Sequence, residues 1–565
     1  MLRKKRLCEL VQSRKNGVVN NSSSSNIPSV EFDLVIIGAG INGAGVARDA
    51  AMRGLKVLLL DKSDLCAGTT AWSTRLIHGG LRYLEHGEVG LVRESLRERE
   101  ILMRIAPHLV KPLPILVPVF ANRSRGAWTI RAGMILYDLL SFDKTLSSHR
   151  RLSRQETLTY APGLCPQGLK SAVLYYDAQV ELAERLVVEN ALSAQQNGAL
   201  VHTYSQVEDL LIHDGTVRGV RFSDQLTGKN HEAACRLVIN ASGPWVDQLL
   251  ERIGVSAARL LGGTKGSHLI VAPFSGAPDS AIYVEAEQDH RPFFIIPWNG
   301  NYLIGTTDIR YEGSLERLEI SDGEVEYLLS ETNRLIPAAQ LSRKSILYSY
   351  SGVRPLPFSS EKGEQGITRR HFIVEHPEAP GLISLIGGKI TTYRSLAGEV
   401  VDLCLRRLRR RAISCRTATE LLPGAPSSGL PPLHEDLKSL SPNAAGRLLN
   451  IYGSRSYGIL ELTREEPELL RVFDVETGAI AAEIVFAFKS EMARTLTDCL
   501  IRRTVVGLNS TCGLDAVEAA AGIARARLGW SADRVSLEVE SYQRYVERFR
   551  PQFLDNYPIP GSLRN

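Results

Sequence analysis

The 565 residues contain eight cysteines and no C-x-x-C pair. The scatter of Cys8, Cys66, Cys165, Cys235, Cys404, Cys415, Cys499 and Cys512 argues against a zinc or dithiol motif and a disulfide scaffold, so these read as reduced, mostly buried thiols. No apolar run approaches the roughly 18 residues that a membrane-spanning helix needs. A typical candidate, Ala479 to Phe488, is short and broken by Glu483. Charge of one sign is also scarce: 67 Lys and Arg against 62 Asp and Glu leave a net charge of +5. That excess is too small to argue for nucleic acid, although it favours anionic substrates or lipid headgroups. The basic start, Lys4, Lys5 and Arg6, is followed by no apolar h-region, which speaks against a secretory signal. Residues 1–30, with their polar run Asn20 to Asn26, read as a disordered basic tail, an organelle presequence being the alternative.

What is present is an ordinary globular composition, 44% hydrophobic and 23% charged, able to bury a substantial core. From Asp33 an apolar run, Leu34 to Ile37, enters a glycine-dense turn, then a helical stretch, Ala44 to Arg53, and a second apolar run, Lys56 to Leu60, closed by Asp61. This order predicts a βαβ unit. Arg236 to Asn240 and Gly381 to Ile386 read as further buried strands, and Glu181 to Ser193 as a helix. Phe293 to Ile296 and Tyr302 to Thr306 flank the turn Trp298-Asn299-Gly300 and predict a hairpin in a second layer. The chain thus leaves a nucleotide-binding domain and returns to it within residues 31–415. A Pro-, Gly- and Ser-rich stretch, Leu422 to Pro432, marks a linker at 416–440. Beyond it, Ala481 to Thr504 and Leu514 to Leu528 carry apolar residues at helical spacing, predicting a C-terminal helical domain over 441–565.

The chemistry starts at Gly38-Ala39-Gly40-Ile41-Asn42-Gly43. Between a strand and a helix, these glycines permit a tight turn and close approach of a pyrophosphate to free helix amides. Asp61 falls about 20 residues on, where an acceptor for ribose hydroxyls is needed. NAD and FAD share this cradle, so the fingerprint leaves the dinucleotide open.

The segments that follow are Ala67 to Ser73 (AGTTAWS) and Leu76 to Leu84 (LIHGGLRYL), then Asn240 to Trp245 (NASGPW), Lys265 to His268 (KGSH), Ile296 to Trp298 (IPW), Gly305 to Asp308 (GTTD), Tyr350 to Pro355 (YSGVRP) and Gly387 to Arg394 (GGKITTYR). In order and spacing the chain resembles the FAD-linked, aerobic glycerol-3-phosphate dehydrogenases of the D-amino-acid-oxidase-like flavoproteins from about Asp33 to Ala397. Glu491 to Arg494 and Arg502 to Thr504 resemble that family's C-terminal helical domain. Asp61 stands where the family more often has Glu, and Thr70 where it often has Ser, and both keep the acceptor or hydroxyl. The resemblance implies an α/β fold: an FAD-binding Rossmann-like domain with an antiparallel-sheet substrate layer, plus the helical domain. It implies cofactor contacts at Gly38, Gly40, Asn42, Gly43, Asp61, Thr69, Thr70, Ser73, His78, Gly80, Gly243, Gly388, Lys389 and Thr391, and substrate contacts that include Tyr83 and Thr392.

The residues themselves agree. A phosphate dianion needs several fixed cations, and Arg82, Arg354, Lys389 and Lys265 all sit in Gly- or Pro-containing loop contexts, with structural ion pairing as the alternative for any one of them. Alcohol oxidation needs a proton acceptor, which favours His78, with His268 or a basic side chain such as Arg354 as alternatives. The expected activity is oxidation of sn-glycerol 3-phosphate to dihydroxyacetone phosphate, with hydride passing to flavin N5 and electrons to membrane quinone. The competing expectations are a related flavin oxidase using oxygen, or a 2-hydroxy-acid or amino-acid flavoenzyme. The expected place is peripheral, on the cytoplasmic face of the cell membrane, with the C-terminal helices and Arg406 to Arg411 as candidate contacts. No metal is expected, and a homodimer is left open.

Overall fold

The protein is described by a computed structural model covering residues 31–85, 87–121, 127–359, 368–426, 437–438 and 440–551; the side chains of Arg82 and of residues 127–131 are not among those described. The predicted tail at 1–30 lies outside the described residues.

Among the described residues, two large sheets carry the site. The first has a parallel centre in the order Leu382–Ile386, Asn230–Asn240, Phe32–Ile37, Val57–Leu60, Leu200–His202. Phe32–Ile37 and Val57–Leu60 are buried at every position, Asp33 included, as strands covered on both faces should be. The chain moves from Phe32–Ile37 to one neighbour, Val57–Leu60, and later places Asn230–Asn240 on its other side. The carboxyl end of Phe32–Ile37 is therefore the topological switch point, where open α/β sheets bind their ligands. The helix Ile41–Met52 follows at once and is buried almost throughout. A Cβ on Gly45 would lie 2.7 Å from the Tyr393 ring, so this glycine of the extended fingerprint serves close helix packing.

The second sheet is mostly antiparallel, in the order Ile309–Arg310, Thr264–Val271, Asn301–Gly305, Pro292–Trp298, Ala281–Glu285, Val110–Phe120, Leu169–Val180, Leu76–Ile77. Ile346–Arg354 also pairs with Thr264–Val271. The predicted hairpin is present: Trp298 pairs with Asn301, and Asn299 and Gly300 have φ of 50° and 73°, the positive pair that a two-residue Asn-Gly turn needs.

After the sheets the chain is largely helical, but Ala481 to Thr504 is not one helix. The helix Ala481–Ser490 stops, and a π-helical turn, Asp498–Arg503, follows. The predicted linker also begins inside the fold: Leu422 and Ala425 are buried and the Gly424 amide donates to Glu189 at 2.9 Å. Composition marked this stretch as a spacer, yet two apolar side chains anchor its start. Residues 427–436 of it lie outside the described residues.

Candidate active site

A cavity of about 820 Å³ opens at the switch point and runs between the two sheets. That volume is at the upper end for a small-molecule pocket, as an extended dinucleotide plus a small substrate requires.

At one end lies the glycine turn. Gly38 has φ of 104°, and a Cβ there would lie 2.6 Å from the Ala241 carbonyl oxygen, so neither the backbone nor the space admits a side chain. Gly40 precedes the helix Ile41–Met52, which has no side-chain cap and no acidic residue in its first turn, so its positive end is turned to the cavity that Gly40, Ile41 and Asn42 line. The buried Asn42 Oδ1 has no hydrogen-bond partner, which suits it to a ligand donor. Gly43 does not line the cavity: a Cβ there would lie 1.8 Å from the Gly38 carbonyl oxygen. It was expected to touch the cofactor, but its work is to let the helix sit on the strand. Asp61 closes Val57–Leu60 and accepts from the Ala39 amide at 2.6 Å and the Ser63 amide at 2.8 Å. Burial pushes its carboxyl above the ordinary range against the pull of those amides.

Along the cavity, Thr69, Thr70, Ser73, His78, Gly80, Gly243, Gly388, Lys389 and Thr391 all line the wall. Thr70 Oγ1 accepts from the Ile41 amide at 3.3 Å, Thr69 donates to the Val353 carbonyl at 2.7 Å, and the His78 amide donates to Thr391 Oγ1 at 3.3 Å. A Cβ on Gly243 would meet nothing within 4 Å, and one on Gly388 would lie 3.3 Å from Asn42 Nδ2. These residues match an FAD: an uncapped helix end for the pyrophosphate, an acceptor at the ribose position, an unpartnered Asn42 oxygen, and a long walled channel. Thr392 is an exception to the expectation. It is buried behind the wall and precedes the helix Tyr393–Arg407.

Both histidines open on the cavity. Burial, with Lys389 and Arg99 nearby and only Asp177 opposing, holds His78 down to about 4. His268 is lowered well below its ordinary value by burial and by Arg354 and Arg75. Its Nε2 shares a hydrogen bond with Thr74 Oγ1 at 2.9 Å, and its buried Nδ1 has no partner. Both rings are therefore neutral at physiological pH.

The cations separate into two groups. Lys265 turns away from the cavity: its ammonium lies 2.7 Å from Glu324 and donates to the Glu319 carbonyl at 2.9 Å. Side chains alternate along Thr264–Val271, so Gly266 and His268 face the cavity while Lys265 and Ser267 face Glu324. The phosphate role expected of Lys265 is thus replaced by a buried ion pair. Arg354 does line the cavity, donating to Asp308 at 2.9 Å and to Thr306 Oγ1 at 3.0 Å. Sequence reasoning missed two companions. Arg369 donates to the other Asp308 oxygen at 3.3 Å, and Arg291 donates to the Asp308 carbonyl while pairing with Asp289 at 3.4 Å. Arg369 Nη1 is buried without a hydrogen-bond partner. Lys389 sits 4.4 Å from the centre of the Tyr83 ring and donates to Ser95 Oγ at 2.6 Å. Burial, set against the attraction of Glu94, Glu88 and Asp177, pulls it down to about 7. The Arg82 side chain lies outside the described residues.

A second omission is larger. Thr495, Thr497, Arg502, Ser541, Tyr545, Arg548 and Phe549, all from the C-terminal region, line the same cavity. The only sequence signal was the Arg502-Arg503 pair.

The comparisons with known proteins agree with this geometry. Residues 33–394 match the FAD dependent oxidoreductase family, and residues 415–535 match the C-terminal domain of alpha-glycerophosphate oxidase. A glycerol-3-phosphate dehydrogenase of Synechocystis sp. is 46% identical over 93% of this chain and 98% of its own. Glycerol-3-phosphate dehydrogenase 2 of Mycobacterium tuberculosis is 34% identical over 92% of this chain and 88% of its own. The solved glycerol-3-phosphate dehydrogenase of Bacillus halodurans, complexed with FAD, superposes with a TM-score of 0.75 at 27% identity, covering 92% of this chain and 95% of that one. An uncapped cradle at a switch point, cations lining the same cavity and similarity along nearly the whole length have one common explanation: the chain belongs to the FAD-dependent glycerol-3-phosphate dehydrogenase family.

Proposed function

We propose that the protein oxidises sn-glycerol 3-phosphate to dihydroxyacetone phosphate and passes the electrons to membrane quinone. The observation that carries this reading is the gathering of Arg354, Arg369 and Arg291 at Asp308, with Lys389, on the walls of the cavity that begins at Gly40 and Asp61. Three guanidiniums meet two carboxylates there, Asp308 and Asp289, and fixed guanidiniums bind a phosphate dianion through paired charge-assisted hydrogen bonds. When bound, FAD supplies a two-electron acceptor that takes hydride at its N5. His78, neutral because burial depresses it to about 4, accepts the substrate hydroxyl proton as the carbinol hydrogen leaves. His268, likewise lowered by burial, is the second candidate for that proton. His268 and Tyr350, with ring centres 4.9 Å apart, pack together on the cavity wall.

The acceptor and the place of action belong to the same reading. No helix among the described residues is long and apolar enough to cross a membrane. Peripheral binding on the cytoplasmic face of the cell membrane needs an exposed apolar surface besides charge, because salt screens charge beyond about 8 Å. Ile135 and Leu139, on the helix Ala127–Leu140, and Phe142 just after it are 54%, 68% and 76% exposed. Turnover with a quinone analogue against turnover with oxygen, each measured with and without anionic vesicles, tests this. A protein that stays soluble and reduces oxygen as fast as quinone is a soluble oxidase instead.

A further inference from the structure

A buried, fully charged cluster stands at one wall of the cofactor cavity. Asp64, Asp498, Arg502 and Arg503 are all buried. Arg502 Nε donates to Asp64 at 2.6 Å and Arg502 Nη2 to Asp498 at 2.8 Å, while Arg503 grips both Asp64 oxygens at 2.7 and 2.8 Å. The two consecutive arginines at the end of the π-helical turn Asp498–Arg503 thus meet on one carboxylate.

The cluster is fastened to the strand end that carries Asp61. Asp64 stands three residues beyond it in the same loop. On the other side, Tyr204 donates its hydroxyl to Asp498 at 2.6 Å and its amide to the Ser63 carbonyl at 2.8 Å, and the Ser205 amide donates to the Asp61 carbonyl at 2.6 Å. Asp64, Tyr204, Thr495, Thr497 and Arg502 all line the cavity. By the fingerprint, Asp61 marks the adenosine half of the cofactor. The wall on that side is therefore partly built by the C-terminal domain.

We propose that Asp64 and Arg502 are positioning residues through which seating of the adenosine half of FAD and docking of the C-terminal domain stabilise each other. The proposal rests on the FAD reading of the cradle. A buried ion cluster of this kind adds little stability over an apolar core, but it fixes geometry, and it is costly to break. A ligand that binds only the docked arrangement strengthens docking by the same factor by which docking strengthens its binding. FAD thus holds the domain down, and a loosened domain loosens FAD.

The test uses the full chain, stripped of FAD and then reconstituted. Hydrogen exchange is followed across residues 491–504 and 541–549, and FAD affinity is read from quenching of flavin fluorescence. FAD slows exchange in both segments of the wild type by about tenfold or more. Arg502→Met leaves Asp64 paired with Arg503; it raises the Kd for FAD by about tenfold, the loss of one charge-assisted contact, and removes the FAD-dependent protection. Arg502→Lys recovers part of both. Thr497→Val, on the cavity wall outside the ion cluster, raises the Kd with exchange of the FAD-free protein unchanged. A wild type that binds FAD with no change of exchange in either segment overturns the proposal, as do Arg502→Met and Thr497→Val proteins with unchanged Kd. A wild type that takes up no FAD overturns the cofactor reading itself.

Discussion

Arg354 and Asp308 hold each other at 2.9 Å in the cavity wall, and the second Asp308 oxygen takes Arg369 at 3.3 Å. One carboxylate thus fixes the direction of two guanidiniums, one at the end of the strand Ile346–Arg354 and one on the segment that follows it. Replacing either Arg354 or Arg369 by Met removes charge-assisted bonds to the phosphate worth about 1.5–3 kcal/mol, so kcat/KM for glycerol 3-phosphate falls about 10- to 100-fold. Glycerol is turned over poorly by the wild type and is not further impaired. Equal turnover of glycerol and glycerol 3-phosphate by the unaltered protein contradicts the phosphate pocket.

Lys265 gives the opposite outcome. Its partner Glu324 is buried and also accepts from Ser267 and Thr307 at 2.8 and 2.7 Å. Lys265→Met leaves that carboxylate without its cation, at a cost of about 3–5 kcal/mol in stability. Denaturant unfolding shows the loss, while KM for glycerol 3-phosphate in the remaining folded protein is unchanged.

The pH profile follows from two depressed groups. Lys389 is lowered to about 7, so the cation that holds substrate is present below that pH and is lost as pH rises through it. His78 is lowered to about 4, so its base form is present above that pH and is lost as pH falls through it. In the free enzyme kcat/KM has its plateau between these values. Lys389→Arg, which stays charged throughout, removes the alkaline limb. An unchanged alkaline limb in that variant assigns it to another group.

The glycines of the turn separate binding from folding. A Cβ on Gly40 meets only Thr70 Oγ1, at 3.5 Å, whereas one on Gly43 collides with backbone at 1.8 Å. Gly40→Val yields a folded protein without the yellow flavin chromophore. Gly43→Ala forces the helix off the strand and destabilises the unit by about 1–3 kcal/mol. Absorbance spectra and thermal melts of the two variants distinguish these outcomes.

What could be seen in the sequence depended on distance along the chain. The cradle was legible because Gly38, Gly40 and Asp61 act within one βαβ unit, and the Asn299-Gly300 turn because two neighbouring residues determine it. Lys265 and Arg354 looked alike, each a cation in a Gly- or Pro-containing context. They parted only when pairing of the strands Thr264–Val271 and Ile346–Arg354 set which face each presents. The gathering of Arg291, Arg354 and Arg369 at Asp308 has no local signature, and neither has the meeting of Asp64 with Arg502 and Arg503 across more than four hundred residues. Gly43 was placed in the right turn and given the wrong task, because a spacing motif does not tell a ligand contact from a packing contact.

The central claim is that glycerol 3-phosphate delivers its electrons to a flavin held between the Gly40 turn and the Asp308 cluster. Anaerobic rapid mixing of the purified holoprotein with glycerol 3-phosphate, followed by flavin absorbance, measures this directly. The account predicts bleaching of the oxidised flavin within a single turnover, with dihydroxyacetone phosphate formed in equal amount and the reduction slowed in His78→Ala. A flavin that stays oxidised with glycerol 3-phosphate, yet bleaches with a 2-hydroxy acid or an amino acid, contradicts it.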